Sequence, residues 1–313
     1  MGFWRNFHYV TILSMTKDIS GITNLRSCVA WARENKVAVG HFNISNLETL
    51  RAIALTAKKL GVPVIIGVSE GERDAIGVPM ARAMVSAIVD ELNHPIFLNA
   101  DHTYSFERVK EVIDAGFDAV IIDAAKLSTE ENIALAKKCV EYAKEVSAKT
   151  GRDILVEGEL GYIGQSSKIM DSIPEGVGLD PASLTQPDDL AAYVAATGID
   201  LIAPAVGNVH GLVRSGNPRL NIERIGELTK ASPAGVVLHG ASGIATEDLA
   251  AAVENGVCIV HYNTDLRVAF TSALRDFVAT NKDETTPYKM MQPSVEAVSK
   301  VVEEKLKVMN RMV

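Results

Sequence analysis

Short apolar runs recur along the chain, and longer, more polar segments separate them. Eight such runs stand out: VAVGHF (37–42), PVIIGV (63–68), PIFLNA (95–100), DAVIID (118–123), DILVEG (153–158), DLIAPA (200–205), GVVLHG (235–240) and VCIVHY (257–262). Their length and β-branched content are typical of strands, and their nearly continuous apolar character favours burial on both faces. The pattern therefore predicts eight buried, parallel strands.

The segments between these runs have the apolar spacing of amphipathic helices. Examples are NLETLRAIALTAKKLG (46–61), SFERVKEVIDAG (105–116) and STEENIALAKKCVEYAKEVSAKTG (128–151), each of which ends at a glycine. Eight strand–helix alternations are typical of an α/β protein, and specifically of a (β/α)₈ TIM barrel. A doubly wound open sheet is the structural alternative.

The sequence predicts a single domain. Its 313 residues, 47% of them apolar, can bury a large core, and no linker-like stretch divides them. We expect the barrel to occupy residues 16–313, and we interpret residues 1–15 as an N-terminal extension or an alternative start before Met15. The longest interruption, about 160–188, has a length typical of an active-site loop.

The charge of the chain limits the kinds of partner it can bind, and its cysteine content indicates a cellular compartment. The chain has 31 basic and 39 acidic residues, a net charge of −8, which argues against nucleic acid or an anionic membrane as the main partner. No run of about 18 apolar residues predicts a membrane span. Cys28, Cys139 and Cys258 form no CxxC pair, and we expect them to be reduced thiols of a cytoplasmic protein.

A polar side chain follows every predicted strand. In a barrel these strand ends meet at one rim, where the chemistry of the fold is found. The residues concerned are Asn43, Ser69, Asp101, His102, Asp123, Glu157, Glu159, His210, His239, His261, Asn263 and Thr264.

Three of these histidines, His102, His210 and His239, are the strongest signal of chemistry. A single histidine is more often a core or surface residue, and Asp123 alone could be a helix cap. Three imidazoles together with a carboxylate are, however, a typical catalytic zinc set with one position open. The wide spacing excludes a local zinc motif, so the prediction depends on the barrel.

Glycine and hydroxyl residues surround two of the histidines, in GNVHG (207–211) and HGASG (239–243). Backbone amides in such segments can hold a phosphate dianion, and barrels commonly bind phosphate after their last two strands. Ser242, Asn263 and Thr264 would add hydrogen bonds. A metal beside a phosphate suits the enolisation of a phosphorylated ketose.

At these residues the sequence resembles the class II, metal-dependent ketose-bisphosphate aldolases, the family of fructose- and tagatose-bisphosphate aldolases. The resemblance extends from about Asp18 to near the C-terminus. It covers, in family order, FNISNLETL, VSEG, DHTYSFERVKEVIDAGFDAVIID, STEENI, VEGELG, GNVHG, HGASG and NTDLRVAF. It implies cleavage of fructose 1,6-bisphosphate, or a close ketose phosphate, into dihydroxyacetone phosphate and an aldehyde such as glyceraldehyde 3-phosphate.

The resemblance also implies roles for single residues. Zinc, or another divalent cation, would be held by the three histidines, with Glu159 an alternative ligand or a neighbour of a second metal position. Asp101 would exchange a proton with the C4 hydroxyl. Asp123 and Glu157 would contact the metal ligands without binding the metal, or would lie beside a second metal ion. A monovalent cation, K⁺ or Na⁺, is expected near the Gly211 backbone. Contacts to substrate or phosphate are implied for Asn43, Ser69, Gly211, Gly240, Ser242 and Thr264.

Two positions depart from the family pattern. The family glutamate of the mobile loop, eight residues beyond Glu159, is Ser167 here, and Asp171 or Glu175 would replace it only if the loop folds differently. The family asparagine of the last strand is His261. This histidine would alter the substrate, add a metal contact or an acid/base, or accompany lost activity.

The far phosphate of a bisphosphate is usually met by basic residues, often from a neighbouring subunit. Arg267, Lys289 and Arg214 are the candidates in this chain. A homodimer or homotetramer is therefore expected. The alternative functions are a non-catalytic protein that binds metal and sugar phosphate, and another barrel enzyme such as a metal-dependent epimerase.

Overall fold

Eight parallel strands close into a barrel in the computed structural model, which describes residues 17–164, 167–173, 180 and 182–313. The barrel strands are β1 Val39–Asn43, β2 Val64–Val68, β3 Ile96–Thr103, β4 Ala119–Ile122, β5 Leu155–Leu160, β7 Leu201–Pro204, β9 Gly235–Leu238 and β10 Val257–Tyr262. They follow one another around the barrel in this order, and β10 pairs with β1. The (β/α)₈ prediction is confirmed and the open-sheet alternative is wrong.

Helices surround the barrel, and polar side chains cap the N-termini of several of them. In the described residues the helices are α1 Leu25–Asn35, α2 Leu47–Leu60, α3 Glu70–Ile76, α4 Val78–Leu92, α5 Phe106–Asp114, α6 Thr129–Thr150, α7 Pro187–Thr197, α8 Ile222–Ala231, α9 Thr246–Glu254, α10 Thr264–Thr280 and α11 Pro287–Met309. Asn46 caps α2 by accepting a hydrogen bond from the backbone N–H of Thr49, and Ser128 and Glu131 form a capping box at the start of α6. No helix in this part of the chain is both long and apolar enough to cross a membrane.

The barrel interior is apolar at the amino ends of the strands and polar above. Its lowest layer packs against the buried face of α1, which closes the bottom of the barrel through Leu25, Cys28 and Ala32. Side chains of a strand alternate between inside and outside, so every second residue along a strand belongs to the next interior layer. The lowest layer consists of Val39, Ile65, Phe97, Ala119, Leu155, Leu201, Val237 and Ile259.

The connection between β5 and α7 has a small amount of regular structure. Within it, β6 (Ile169–Met170) pairs in parallel with β8 (Leu212–Val213), which follows β7. This pairing fixes the described part of the long loop to the segment after His210. The predicted extension, residues 1–15, lies outside the described residues.

Helix α11 belongs to the core of the fold. Leu306, fully buried on this helix, belongs to the large apolar cluster between the barrel and its helices, and the backbone N–H of Ala38 donates to the carbonyl of Met309. We expect Leu306→Ala to lower the free energy of unfolding by about 2–5 kcal/mol, because it leaves a cavity in a packed interface. Urea denaturation measures this change.

Glu304→Ala, at an exposed position of the same helix, is the matched control. The free energy of unfolding of this variant should stay within about 0.5 kcal/mol of that of the parent protein. Equal effects of the two variants would contradict the packing of α11.

Candidate active site at the barrel mouth

The upper interior layers carry the predicted chemistry. One step above the apolar layer lie His41, Asn99, Glu157, His239 and His261, all buried. A further step upward lie Asn43, Asp101 and Glu159, with less than a tenth of each residue exposed. Side chains predicted from separate strand ends therefore meet in one desolvated region, as barrel closure requires.

Three histidine rings surround one point. The ring centroids of His102, His210 and His239 are 5.0 to 5.6 Å apart, and the ring planes cross at 68° to 80°. Near-perpendicular rings at this spacing direct ring nitrogens toward a common centre instead of stacking. The ligand atoms of these histidines and of Glu159 all lie within 4.8 Å of one another.

Three of these four ligand residues have a buried polar atom without a hydrogen-bond partner among the described residues. The atoms are Nε2 of His210, Nδ1 of His239 and Oε2 of Glu159. Leaving such atoms unpaired is costly unless a ligand occupies the site. The 3.5 Å between His239 Nδ1 and Glu159 Oε2 is close to the edge of a zinc tetrahedron, about 3.3 Å. The residues present thus fit a divalent metal ion.

His102 is held in an unusual backbone conformation. Its φ is +88°, which residues other than glycine rarely adopt, and it lies where the pairing of β3 with β4 shifts register between Ala100 and Thr103. Its Nδ1 lies 3.0 Å from Asp123 Oδ2, so its Nε2 faces the other ligands. Strain of this kind is typical of functional sites.

A carboxylate also contacts the His239 ring. Glu157 Oε1 lies 2.8 Å from His239 Nε2, which leaves Nδ1 as the free nitrogen. Burial lowers the pKa of His210 and of His239 to about 3 and raises the pKa of Glu157 and of Glu159 to about 8. Both imidazoles are therefore neutral at neutral pH, with lone pairs available for a metal.

Asp101 has a different electrostatic environment. Burial opposes its ionisation, but His102 and a hydrogen bond with His261 hold the pKa of Asp101 well below its usual range. Burial likewise opposes protonation of His102, yet Asp101, Asp123 and Glu159 raise the pKa of His102 to about 10, so this imidazole would have to lose a proton in order to bind a metal ion. Asp101 is thus an ionised base next to the candidate metal site.

Two neighbours orient Asp101. The Asn43 side-chain amide donates to Asp101 Oδ2 at 2.8 Å, and His261 Nδ1 lies 3.3 Å from Oδ1. Asn43 also donates to Glu72 at 2.8 Å, and the Asn263 amide donates to the same glutamate at 3.2 Å. A chain of hydrogen bonds thus connects the end of β10 with the base on β3.

His41 supports His261 from below and was not predicted. The two imidazoles stack with centroids 3.5 Å apart and planes 4° apart, and His261 stacks in turn on His239 at 4.1 Å. A Cβ on Gly67 would lie 2.1 Å from Cε1 of His41, so only glycine leaves room for this ring. His41 lies inside the apolar run VAVGHF, and only its pairing with His261 in the closed barrel reveals its position beneath the site.

Arg73 is a second unpredicted residue. Its guanidinium is fully buried and donates to the carbonyls of Val68, Asp101 and His102 and to the hydroxyl of Thr103. These contacts lie at the irregular end of β3. Arg73 therefore holds the strained segment that carries both the base and one ligand.

A cavity of about 620 Å³ opens above these residues, a volume typical of small-molecule sites. Asp101, His102, His210 and His261 line it, as does Ser167, whose carbonyl accepts a hydrogen bond from Thr264. All eight side chains or glycines predicted to contact substrate line it too: Asn43, Ser69, Gly211, Gly240, Ser242, Asn263, Thr264 and Arg267.

Other predicted residues lie elsewhere. Asp171 is exposed and pairs with Arg214 at 3.0 Å, and neither lines the cavity. Lys289 is also absent from the lining and pairs with Glu284. Glu175 lies outside the described residues. The described part of the loop thus brings Ser167, and no carboxylate, to the cavity.

The fold and the site together define the chain as a (β/α)₈ barrel protein with a candidate metal centre at the carboxyl ends of its strands. More specifically, the chain belongs to the family described as fructose-bisphosphate aldolase class-II, whose model matches residues 23–312. Members of this family are lyases and are generally metal-dependent.

Named relatives cover nearly the whole chain. A fructose-bisphosphate aldolase of Staphylococcus aureus is 36% identical over 289 residues, which are 91% of this chain and 96% of that protein. One from Geobacillus stearothermophilus is 35% identical over 284 residues, 90% and 94% of the two chains.

Solved structures agree with the fold. The YdjI aldolase from Escherichia coli K12 superposes with a TM-score of 0.73 at 28% identity, over 91% of this chain and 96% of that one. A putative fructose-1,6-bisphosphate aldolase from Coccidioides immitis gives 0.75 at 26% identity, over 91% and 95%.

The role of Arg73 can be tested through metal affinity. We expect Arg73→Lys to weaken zinc binding about tenfold, since the support of a ligand typically changes affinity by about 10–100-fold. Competition with a chromophoric chelator measures the dissociation constant. Arg82→Lys is the control, because Arg82 bonds Gly116 and Asp118 far from the rim. An unchanged dissociation constant for Arg73→Lys would contradict this role.

Proposed function

We propose that the protein is a zinc-dependent aldolase that reversibly cleaves the C3–C4 bond of fructose 1,6-bisphosphate, or of a close ketose phosphate, into dihydroxyacetone phosphate and an aldehyde. Fructose 1,6-bisphosphate is the substrate that the names of the relatives indicate. The observation that carries the proposal is the convergence of unpartnered ligand atoms from His210, His239 and Glu159 beside the ionised Asp101.

The donor set favours zinc among divalent cations. Imidazole nitrogens with a carboxylate oxygen suit zinc, whereas Mg²⁺ and Ca²⁺ prefer oxygen ligands. His102, His210 and His239 would hold the ion, with Glu159 as a fourth or alternative ligand. When bound, the cation supplies Lewis-acid stabilisation of the enediolate charge. Asp123 and Glu157 keep the His102 and His239 rings oriented. The monovalent cation near Gly211 stays a prediction.

Asp101 performs the proton transfer in this proposal. It takes the proton of the C4 hydroxyl while the C3–C4 bond breaks, C4 becomes the aldehyde carbonyl, and the bonding electron pair stays on the three-carbon fragment. That fragment becomes dihydroxyacetone phosphate when its C3 takes up a proton from solvent. In the reverse direction Asp101 returns the proton to O4. Asn43 and His261 fix the carboxylate oxygens for this transfer.

The phosphate of the three-carbon unit lies, in this proposal, between the ends of β7, β9 and β10. Gly240 has φ +62°, and a Cβ there would lie 2.4 Å from the Val209 carbonyl, so only glycine permits this close approach. Asn263, at the start of α10, makes no side-chain cap, and the Asp265 backbone N–H donates instead to Ser242 Oγ at 3.1 Å, so this hydroxyl and the start of the helix lie together where an anion can bind. Gly211, Ser242 and Thr264 complete the set.

The three cysteines support a cytoplasmic location. Cys28, Cys139 and Cys258 are all buried and unpaired, as is usual where thiols stay reduced. We also propose self-association into a dimer or tetramer, as the resemblance implies.

Removal of the metal should abolish turnover. We expect cleavage of fructose 1,6-bisphosphate to be lost after chelation and restored by zinc, measured by a coupled assay for dihydroxyacetone phosphate. Tagatose 1,6-bisphosphate and ketose 1-phosphates are tested beside it. Zinc-loaded protein that cleaves none of them and exchanges no proton of dihydroxyacetone phosphate would contradict the proposal and favour a binding function.

Asp101→Asn should separate binding from chemistry. The amide keeps the size of the side chain but cannot accept the hydroxyl proton, so we expect kcat to fall by about 10²–10⁴ while zinc binding persists. Steady-state kinetics and metal content measure the two effects. Asp188→Asn, at an exposed site on α7, is the control and should retain full activity. Unchanged turnover by Asp101→Asn would exclude the assigned role.

A further inference from the structure

Three imidazole rings form one stack beneath Asp101. The His261 ring on β10 lies between the His41 ring on β1 and the His239 ring on β9, because β10 is the strand between these two in the barrel. The centroids of His41 and His261 are 3.5 Å apart with planes 4° apart, and those of His261 and His239 are 4.1 Å apart with planes 25° apart. His261 is therefore held on both faces, by a candidate metal ligand on one side and by His41 on the other.

His41 has no direct part in the proposed chemistry. It is fully buried and is not among the residues that line the cavity, so it would not contact a substrate there. Its Nε2 lies 3.1 Å from the side-chain amide of Asn99, and the ring fills space that Gly67 leaves free. A Cβ on Gly67 would also lie 3.0 Å from Oδ1 of Asn43, whose amide donates to Asp101. One glycine thus makes room both for a direct support of the base and for His41.

A second metal site does not explain the stack. Ligand atoms of His41, Asp101 and His261 lie within 4.8 Å of one another, a spacing that alone would suit a metal ion. An imidazole nitrogen, however, directs its lone pair in the plane of the ring. Two nearly parallel rings stacked face to face therefore cannot both direct a lone pair at one ion within bonding distance. Rings arranged in this way instead hold one another in place by contact between their faces.

The edge of the His261 ring connects the stack to the base. Its Nδ1 lies 3.3 Å from Oδ1 of Asp101, and an ionised carboxylate can only accept a hydrogen bond, so Nδ1 is the donor. This separation is at the long end of the range for N–H···O hydrogen bonds. A small rotation or shift of the His261 ring is therefore enough to break the bond, and the contact with His41 opposes such a movement.

We propose, building on the aldolase function above, that His41 is a positioning residue for the catalytic base. By stacking on His261 it keeps the Nδ1–H group directed at Asp101, and this hydrogen bond holds the carboxylate in the orientation that accepts the proton of the C4 hydroxyl. The effect concerns proton transfer and not substrate binding, so it belongs to kcat and not to KM. His41 and His261 then act as one unit, and the loss of either removes the same contribution.

A double-mutant cycle on the full-length, zinc-loaded protein tests this inference. His41→Ala removes one ring, whereas His261→Phe keeps a ring in the stack but removes the donor to Asp101. We expect His41→Ala to lower kcat about tenfold for fructose or tagatose 1,6-bisphosphate, whichever is the better substrate, and to change KM less than about twofold. In the His261→Phe background the same substitution should lower kcat less than about twofold, since no hydrogen bond is left to orient.

Two further variants separate positioning from stability. Val39→Ala removes buried atoms from the same strand one layer lower, where Val39 pairs with Ile259 as His41 pairs with His261. This variant should have a lower melting temperature, while its kcat stays within about twofold of the parent value. His41→Leu fills more of the space than alanine but has no flat ring, and it should lose as much kcat as His41→Ala. It takes the place of His41→Ala in the cycle if that variant does not fold.

A crystal structure of the His41 variant gives a readout that is independent of activity. We expect the His261 ring to be displaced, with more than about 3.5 Å between its Nδ1 and Oδ1 of Asp101, beyond the limit of a hydrogen bond. Because His261 also contacts His239, the zinc content of every variant is measured and kcat is expressed per bound zinc.

The outcomes separate the two proposals. An unchanged kcat in His41→Ala, an equal loss of kcat in both backgrounds, or an undisplaced His261 ring overturns the inference and leaves the aldolase function intact. A zinc-loaded parent protein that cleaves no ketose phosphate and exchanges no proton of dihydroxyacetone phosphate contradicts both proposals. A loss of kcat confined to the background that retains His261, together with a displaced ring, supports both.

Discussion

The site depends on one constraint: polar groups on the inner face of a closed barrel have no access to water from below. The lowest interior layer and α1 seal the amino ends of the strands. Groups in the layers above must therefore satisfy one another or a ligand entering from the mouth. Glu157 and Asp123 each bond a histidine, whereas His210 Nε2, His239 Nδ1 and Glu159 Oε2 have no such partner. His41 Nδ1, Asn99 Oδ1 and His261 Nε2 are also unpaired in these layers. The metal position is marked by the three unpaired atoms that belong, with His102, to one group of ligands within 4.8 Å of one another.

The same constraint explains the supporting residues. His102 reaches the common centre from a backbone with positive φ, and Arg73 stabilises that backbone by donating to carbonyls at the irregular end of β3. A buried guanidinium is expensive to desolvate, and the nearby Asp101 and Glu70 offset part of that cost. His41 and His261 fill the interior beneath the base, in space left by Gly67. Rigidity of this kind preserves the geometry that catalysis needs.

The sequence predicted the barrel and most of the rim. Eight apolar runs correspond to eight observed strands because burial on both faces leaves a strong local signal. The residues directly after those runs meet at the cavity, since closure brings all strand ends to one rim. His41, Glu72 and Arg73 escaped prediction for different reasons. His41 lies within an apolar run. Glu72 and Arg73 lie on the helix α3, and a search for polar residues directly after strands does not find residues on a helix. Their roles arise from tertiary contacts alone.

Anomalous diffraction from a zinc-loaded crystal shows whether the three histidines hold a metal ion. Data collected above and below the zinc absorption edge locate the ion without reference to activity. We expect one strong peak within bonding distance, about 2.0–2.1 Å, of His102 Nε2, His210 Nε2 and His239 Nδ1. No peak among these atoms in zinc-saturated crystals, or a zinc ion bound elsewhere, would contradict this expectation.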